Sequence, residues 1–181
     1  MAPNATIYNF DIALSDMDRD VHAEFNIRPA LHPSESHAYF VTRVLAYCLE
    51  YAPGITFTKG IADGDAPALW AHDATGKLTA WIEVGMPEAQ RLHTARKRVE
   101  HVAVYTHRNP VLLLEHLAGH RIHRAATIPI YGLERRLLDE VSALLERQMA
   151  WSLLMTERQL YLNIGAATLV SAVAVHYLPD T

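Results

Sequence analysis

Trp81-Ile82-Glu83-Val84-Gly85-Met86-Pro87 reads as a β-strand whose apolar run carries one carboxylate and is closed by Gly and Pro. Acids are depleted in strands, and one set among Trp81, Ile82 and Val84 calls for a specific partner, either a basic side chain or a bound cation. Upstream lies an acidic loop with Asp63 and Asp65, and downstream a helix rich in Arg and Lys starts at Pro87. Two acids from adjoining strand ends, followed by a basic helix, form the arrangement that holds a divalent cation against a phosphodiester.

Working outward from that strand, Leu78 to Val84 pairs with Ala68 to His72 across the polar turn Asp73-Ala74-Thr75-Gly76. Before them, Ile55 to Ile61 is a short strand. A helix precedes it, starting after Pro33 with Ser34 as N-cap, carrying Phe40, Val41, Val44, Leu45, Cys48 and Leu49, and ending at Pro53-Gly54. Residues 5 to 31 alternate as a hairpin around Ser15 to Asp20. Beyond Pro87 the pattern gives a polar helix to about Val99, a strand over Val102 to Thr106, a short helix over Val111 to Leu117 and a strand over Ala125 to Tyr131. An amphipathic helix follows over Leu133 to Arg147, and β-structure runs from Met149 to Leu178. The predicted fold class is α/β of mixed α+β type, a mixed β-sheet flanked by helices.

The chain has 181 residues and is 50% hydrophobic, enough for a single domain over 1–181 with a substantial core. The 17 Gly and Pro residues are dispersed, and no segment is biased or repeated, which excludes solenoid and disordered readings. Cys48, the only cysteine, lies in an apolar helical pattern, so packing rather than a disulfide accounts for it and a reducing compartment suits it. Met1 to Ala13 has neither the basic start nor the apolar core of a secretory signal, and a cytoplasmic location is expected. Leu160 to Val175 is apolar, but Asn163 and Ser171 interrupt it and it falls short of the roughly 20 residues that span a bilayer. Buried strands, with no membrane partner, are the expectation there.

Net charge is -4. The cations are nonetheless concentrated: Arg91 to Arg124 holds seven Lys or Arg against Glu100 and Glu115, a local charge of +5 on an acidic body. Gathered on one face, Arg91, Arg96, Lys97 and Arg98 would bind nucleic acid; dispersed, they are solvated surface.

Several blocks taken together resemble the YaeQ family: Thr6-Ile7-Tyr8, Ser15-Asp16-Met17-Asp18-Arg19, His32-Pro33-Ser34-Glu35, Lys59-Gly60, Asp65 and Pro67 with Trp70, and the opening heptapeptide. They occur in order from residue 5 to about 106. The resemblance implies a cytoplasmic bacterial protein with a variant of the PD-(D/E)XK, restriction-endonuclease-like nuclease fold. It brings no assigned activity, so the fold alone licenses a nuclease expectation. On that pattern Glu35 is the helix acid, Asp65 the hairpin acid and Glu83 the strand-end acid, and the three are the expected Mg²⁺ ligands. Gly85 stands where the pattern has its catalytic lysine. Lys59, from the strand before, or Arg91 would then supply positive charge, and Arg91 only as a charge stabiliser, since guanidinium does not deprotonate.

Each residue also has a plainer reading. Glu35 would favour the dipole of its helix, Asp65 would shape the turn before Pro67, and Glu83 would pair with Lys59 or another cation. His116, His120 and His123 lack the spacing and companions of a zinc site, and Asp16, Asp18 and Asp20 lack the glycine and terminal Glu of a calcium loop. Two classes therefore remain: a Mg²⁺-dependent phosphodiesterase acting on nucleic acid, and a non-catalytic nucleic-acid or protein binding module on the same fold.

Overall fold

Phe10, Ile12 and Leu14 are buried while Asp11 and Ala13 between them are exposed, the period-two pattern of a strand with one face on a core. The same alternation recurs far along the chain, where Met149, Trp151, Leu153 and Met155 are buried and the residues between them are not. In the computed structural model, which describes residues 4–59 and 64–179, these two stretches lie side by side in parallel register, Ile12 opposite Trp151 and Leu14 opposite Leu153.

Seventeen elements are described. In chain order the strands are β1 (Thr6–Ile7), β2 (Asn9–Asp16), β3 (Val21–Ile27) and β4 (Ala30–Leu31), then helix α1 (His37–Leu49). Next come β5 (Ile55–Phe57), β6 (Leu69–His72), β7 (Leu78–Val84), α2 (Ala89–Arg98), β8 (His101–Thr106) and α3 (Pro110–Leu117). A 3-10 turn over Ala125–Thr127 leads into β9 (Ile130–Leu133), α4 (Arg135–Ala143), β10 (Gln148–Thr156), β11 (Gln159–Ile164) and β12 (Ala167–His176). Among the described residues, ten strands form one sheet in the order β3-β2-β10-β11-β12-β9-β8-β7-β6-β5, and β1 pairs with β4 alone. The β7–β8, β8–β9 and β2–β10 pairs are parallel and the others antiparallel. The mixed sheet with flanking helices is the fold class that the sequence predicts.

The sheet separates two cores. Ile82, Val84, Ala103 and Tyr105 join the larger, with α1 and α4. Trp81, Val102 and Val104, the alternate positions of the same strands, join the smaller, with α2 and α3. Cys48 is wholly buried in the larger core, and burial pushes its thiol far above the ordinary range, so it acts as an apolar filler.

Three expectations need correction. Helix α1 is capped by Ser36, whose Oγ accepts the Tyr39 amide at 3.1 Å, because the hydroxyl of Ser34 is engaged 2.6 Å from His32 Nδ1. The strand expected over Ala125 to Tyr131 starts only at Ile130: Arg124 adopts a left-handed φ of 49° and Thr127 Oγ1 bonds back to its carbonyl, closing the 3-10 turn. The strand at Ile55 ends at Phe57 rather than running on through Thr58 and Lys59; residues 60 and 61 of its expected span lie outside those described, as does Asp63. No helix among the described residues is long and apolar enough to cross a membrane.

Candidate functional site

The alternation of β7 decides where Glu83 points. With Ile82 and Val84 committed to the α1 core, Glu83 takes the opposite face with Trp81, toward α2. There it is only 5% exposed, and its Oε1 accepts Trp81 Nε1–H at 2.7 Å and Arg91 Nε–H at 2.5 Å. Oε2 accepts no hydrogen bond from the described residues. Burial pushes the carboxyl above its ordinary range, and the indole and guanidinium oppose that shift. The other Arg91 nitrogens donate to the carbonyls of Gly64, at 2.5 Å, and Ala66, the two residues flanking Asp65. One guanidinium thus ties the acid strand, the hairpin loop and the basic helix together around a cleft of about 280 Å³.

Gly85 stands where the expected nuclease pattern would have a lysine. It holds a φ of +95°, a conformation that side-chain-bearing residues rarely adopt, while its amide bonds the Tyr105 carbonyl at 2.9 Å. A lysine there would strain the backbone, and the positive charge arrives from α2 instead.

Glu35 lies on the α1 side, buried, with Arg43 Nη2 3.0 and 3.2 Å from its two oxygens. Burial raises its pKa, and Arg43 works against that rise. Each carboxylate has its own arginine and lines its own cleft, and the charges of both pairs act on Tyr39 between them. Lys59 follows β5, which β6 separates from β7, and it lines the Glu35 cleft rather than that of Glu83. Asp65 is exposed, next to the Arg91 contacts. Among the described residues no three His, Cys, Asp or Glu side chains are grouped so as to hold a metal ion. A hard cation and Arg91 would compete for one carboxylate; with the guanidinium in place, the side chains at Glu83 do not fit a cation.

Of the four basic residues expected to share a face, Arg96, Lys97 and Arg98 gather, whereas Arg91 lines the Glu83 cleft because that carboxylate holds it. Arg96, Lys97, Arg98 and Arg124 share a cleft of about 420 Å³ with Lys77 and His123, and Glu100 is its one acid. Arg96 is 7% exposed and forms no ion pair among the described residues; its Nε bonds Thr127 Oγ1 at 3.0 Å and its Nη1 the Val99 carbonyl at 3.1 Å. Burial and the neighbouring Arg124 lower its pKa, opposed by Glu100. Nor do Lys77, Lys97, Arg98 or Arg124 pair with any acid among the described residues. Arg98 and Arg91 both lie over the Trp81 ring, at 5.3 and 5.8 Å from its centroid, which fastens this cleft to the acid strand.

Sequence reasoning missed Arg43 and Lys77. The signal for Arg43 was available: a lone cation on the apolar side of a helix, eight residues after an acid, needs a buried partner. Also missed was Glu50, the residue capping the end of α1, which accepts Tyr105 Oη at 2.8 Å and lies 2.6 Å from His101 Nε2; that hydrogen bond raises the pKa of His101. His116 Nε2 lies 3.2 Å from Glu88, and its ring centroid lies 6.5 Å from that of His120.

The family model described as YaeQ protein matches residues 1–173. YaeQ of Escherichia coli (strain K12) is 29% identical over 151 residues, covering 82% of this chain and 83% of that protein, and YaeQ of Salmonella typhi is 26% identical over 152. The crystal structure of the YaeQ protein from Xanthomonas axonopodis pv. citri superposes with a TM-score of 0.87 at 25% identity, over 97% of this chain and 100% of that one. That of the YaeQ protein from Pseudomonas syringae, at 24% identity, shares the fold with a TM-score of 0.84, over 98% and 97% of the two chains.

Proposed function

The chain belongs to the YaeQ family, and from that membership and the geometry of its clefts we propose that it is a non-catalytic module binding the phosphate backbone of nucleic acid. The observation that carries this reading is Arg96, a buried guanidinium that forms no ion pair among the described residues, at the wall of a cleft where four further cations outnumber the one acid, Glu100. A buried charge normally has a counter-ion, and an external phosphate is the one this cleft suits. The acids of the nuclease pattern support the same reading, because Glu83 and Glu35 are neutralised by Arg91 and Arg43 within the fold.

Phosphate contacts fix the expected salt dependence. With about four contacts, log K falls with log salt at a slope of roughly -3 to -4, so a labelled oligonucleotide loses about a hundredfold in affinity between 50 and 200 mM salt. Fluorescence anisotropy measures this directly. Lys97→Glu with Arg98→Glu, both exposed, is expected to abolish most of the binding while the melting temperature holds. Unchanged affinity would return these residues to solvated surface.

A second reading keeps the Mg²⁺-dependent phosphodiesterase. One observation favours it: Arg91 holds Glu83 beside the two residues flanking Asp65, leaving Glu83 Oε2 without a hydrogen bond from the described residues. On this reading a cation replaces the guanidinium between Glu83 and Asp65, with Glu35 and Lys59 as the remaining members of the pattern. The two readings diverge in the response of Arg91 variants to Mg²⁺.

A further inference from the structure

Between the loop after β3 and the end of edge strand β5 lies a cleft of about 370 Å³ that the nucleic-acid reading leaves unused. Its walls are Pro29, Ala30 and Phe57, and its charged groups are Arg28, Arg43 and Lys59 against Glu35. Among the described residues, three cations face one carboxylate.

Arg43 is fixed in place at the floor. Its guanidinium sits 5.5 Å from the Phe40 ring centroid and 5.6 Å from that of Phe57, and the side chain is 3% exposed. All three of its hydrogen bonds, to both Glu35 oxygens and to the Ala30 carbonyl at 2.6 Å, leave from Nη2, while Nε is buried without a partner. A guanidinium has five N–H donors, so most of the capacity of this one is unused inside the fold. Arg28 and Lys59 are exposed and form no ion pair among the described residues.

We infer that this cleft is a binding site for a phosphate monoester, with Arg28, Arg43 and Lys59 around the phosphate and the body of the ligand against Phe57 and Pro29. Charge selects the monoester. The described lining residues carry a net charge of +2 with His32 neutral, which matches the roughly -1.5 to -2 of a monoester at neutral pH and exceeds the single charge of a carboxylate or a diester. Size agrees, since a cleft of this volume lies in the range that takes small molecules. The site is independent of the basic cleft on α2 and stands whether or not that cleft binds nucleic acid.

The test is isothermal titration calorimetry on the full chain with inorganic phosphate, a nucleoside 5′-monophosphate and the parent nucleoside. The monophosphate and inorganic phosphate are expected to bind and the nucleoside not. Arg28→Ala with Lys59→Ala, both exposed so that the fold is retained, is expected to weaken binding by about tenfold or more, whereas Lys97→Glu with Arg98→Glu leaves it unchanged. Competition distinguishes the source: a 5′-phosphorylated oligonucleotide that displaces the monophosphate, where its 5′-hydroxyl counterpart does not, assigns the site to a nucleic-acid end, and failure of both assigns it to a free metabolite. The inference is overturned by no saturable binding of phosphate or monophosphate at about 10 mM, by equal affinity in the Arg28/Lys59 variant, or by loss of binding in the Lys97/Arg98 variant instead.

Discussion

Arg43→Met is expected to destabilise the protein by about 3–5 kcal/mol at neutral pH, since it leaves the buried Glu35 carboxylate without its cation. The pH dependence separates this cause from simple loss of packing. Burial already holds the Glu35 pKa above its unfolded value of 4.5, with Arg43 limiting the rise. Removing Arg43 raises it further. A raised folded-state pKa contributes stability that is fully present below the unfolded pKa and is lost as pH climbs through the folded one. The deficit of Arg43→Met is therefore largest at pH 7 to 8 and shrinks as pH falls toward about 4.5. Chemical denaturation across that range measures it; a deficit independent of pH would show that Glu35 does not depend on Arg43 for its charge.

At the second acid the expected effects are unequal in a diagnostic way. Arg91→Met strands Glu83, whose side chain is 7% exposed, and frees the carbonyls of Gly64 and Ala66, so a loss of about 2–4 kcal/mol is expected, discounted because Arg91 itself is partly solvated. Glu83→Gln keeps an acceptor for Trp81 and leaves Arg91 its two carbonyls, so its cost is nearer 1 kcal/mol. Thermal melting with and without millimolar Mg²⁺ then decides between the functional readings. If Glu83 and Asp65 accept a cation once the guanidinium is gone, Mg²⁺ raises the melting point of Arg91→Met, and adding Glu83→Gln removes the gain. A Mg²⁺ shift in the native chain, lost in Glu83→Gln, would overturn the non-catalytic reading.

Strands and helices were legible wherever side-chain periodicity carried the signal. The hairpin β6–β7, the helix α2 and the C-terminal strands fall where alternation and turn residues put them, and Glu83 was marked as an acid that folding alone does not explain. The identity of its partner was not legible. Lys59 follows a strand of the same sheet, but β6 intervenes between β5 and β7, and only a sheet order that no local pattern encodes shows that Arg91 holds the position. The same limit applies to Glu35. Its place in the nuclease pattern suggested convergence with Glu83, yet which face of β7 meets α1 depends on how Ile82 and Val84 pack, a tertiary fact. The basic cleft was half legible, since clustering of Arg96, Lys97 and Arg98 is local while Lys77 and Arg124 come from distant loops.

The parallel pairing of β2 with β10 sets the timing of folding. Residues 9–16 are synthesised about 140 positions before their neighbours at 148–155, so at roughly 5–20 residues per second β2 waits many seconds for the strand that covers its edge. In that interval β2 has only β3 beside it, and a two-stranded ribbon is marginal in water. Closing the sheet is thus a late, long-range event that belongs to the slow end of the topology scale. A chain stopped before residue 148 would carry Phe10, Ile12 and Leu14 on an uncovered edge, open to pairing with another nascent copy.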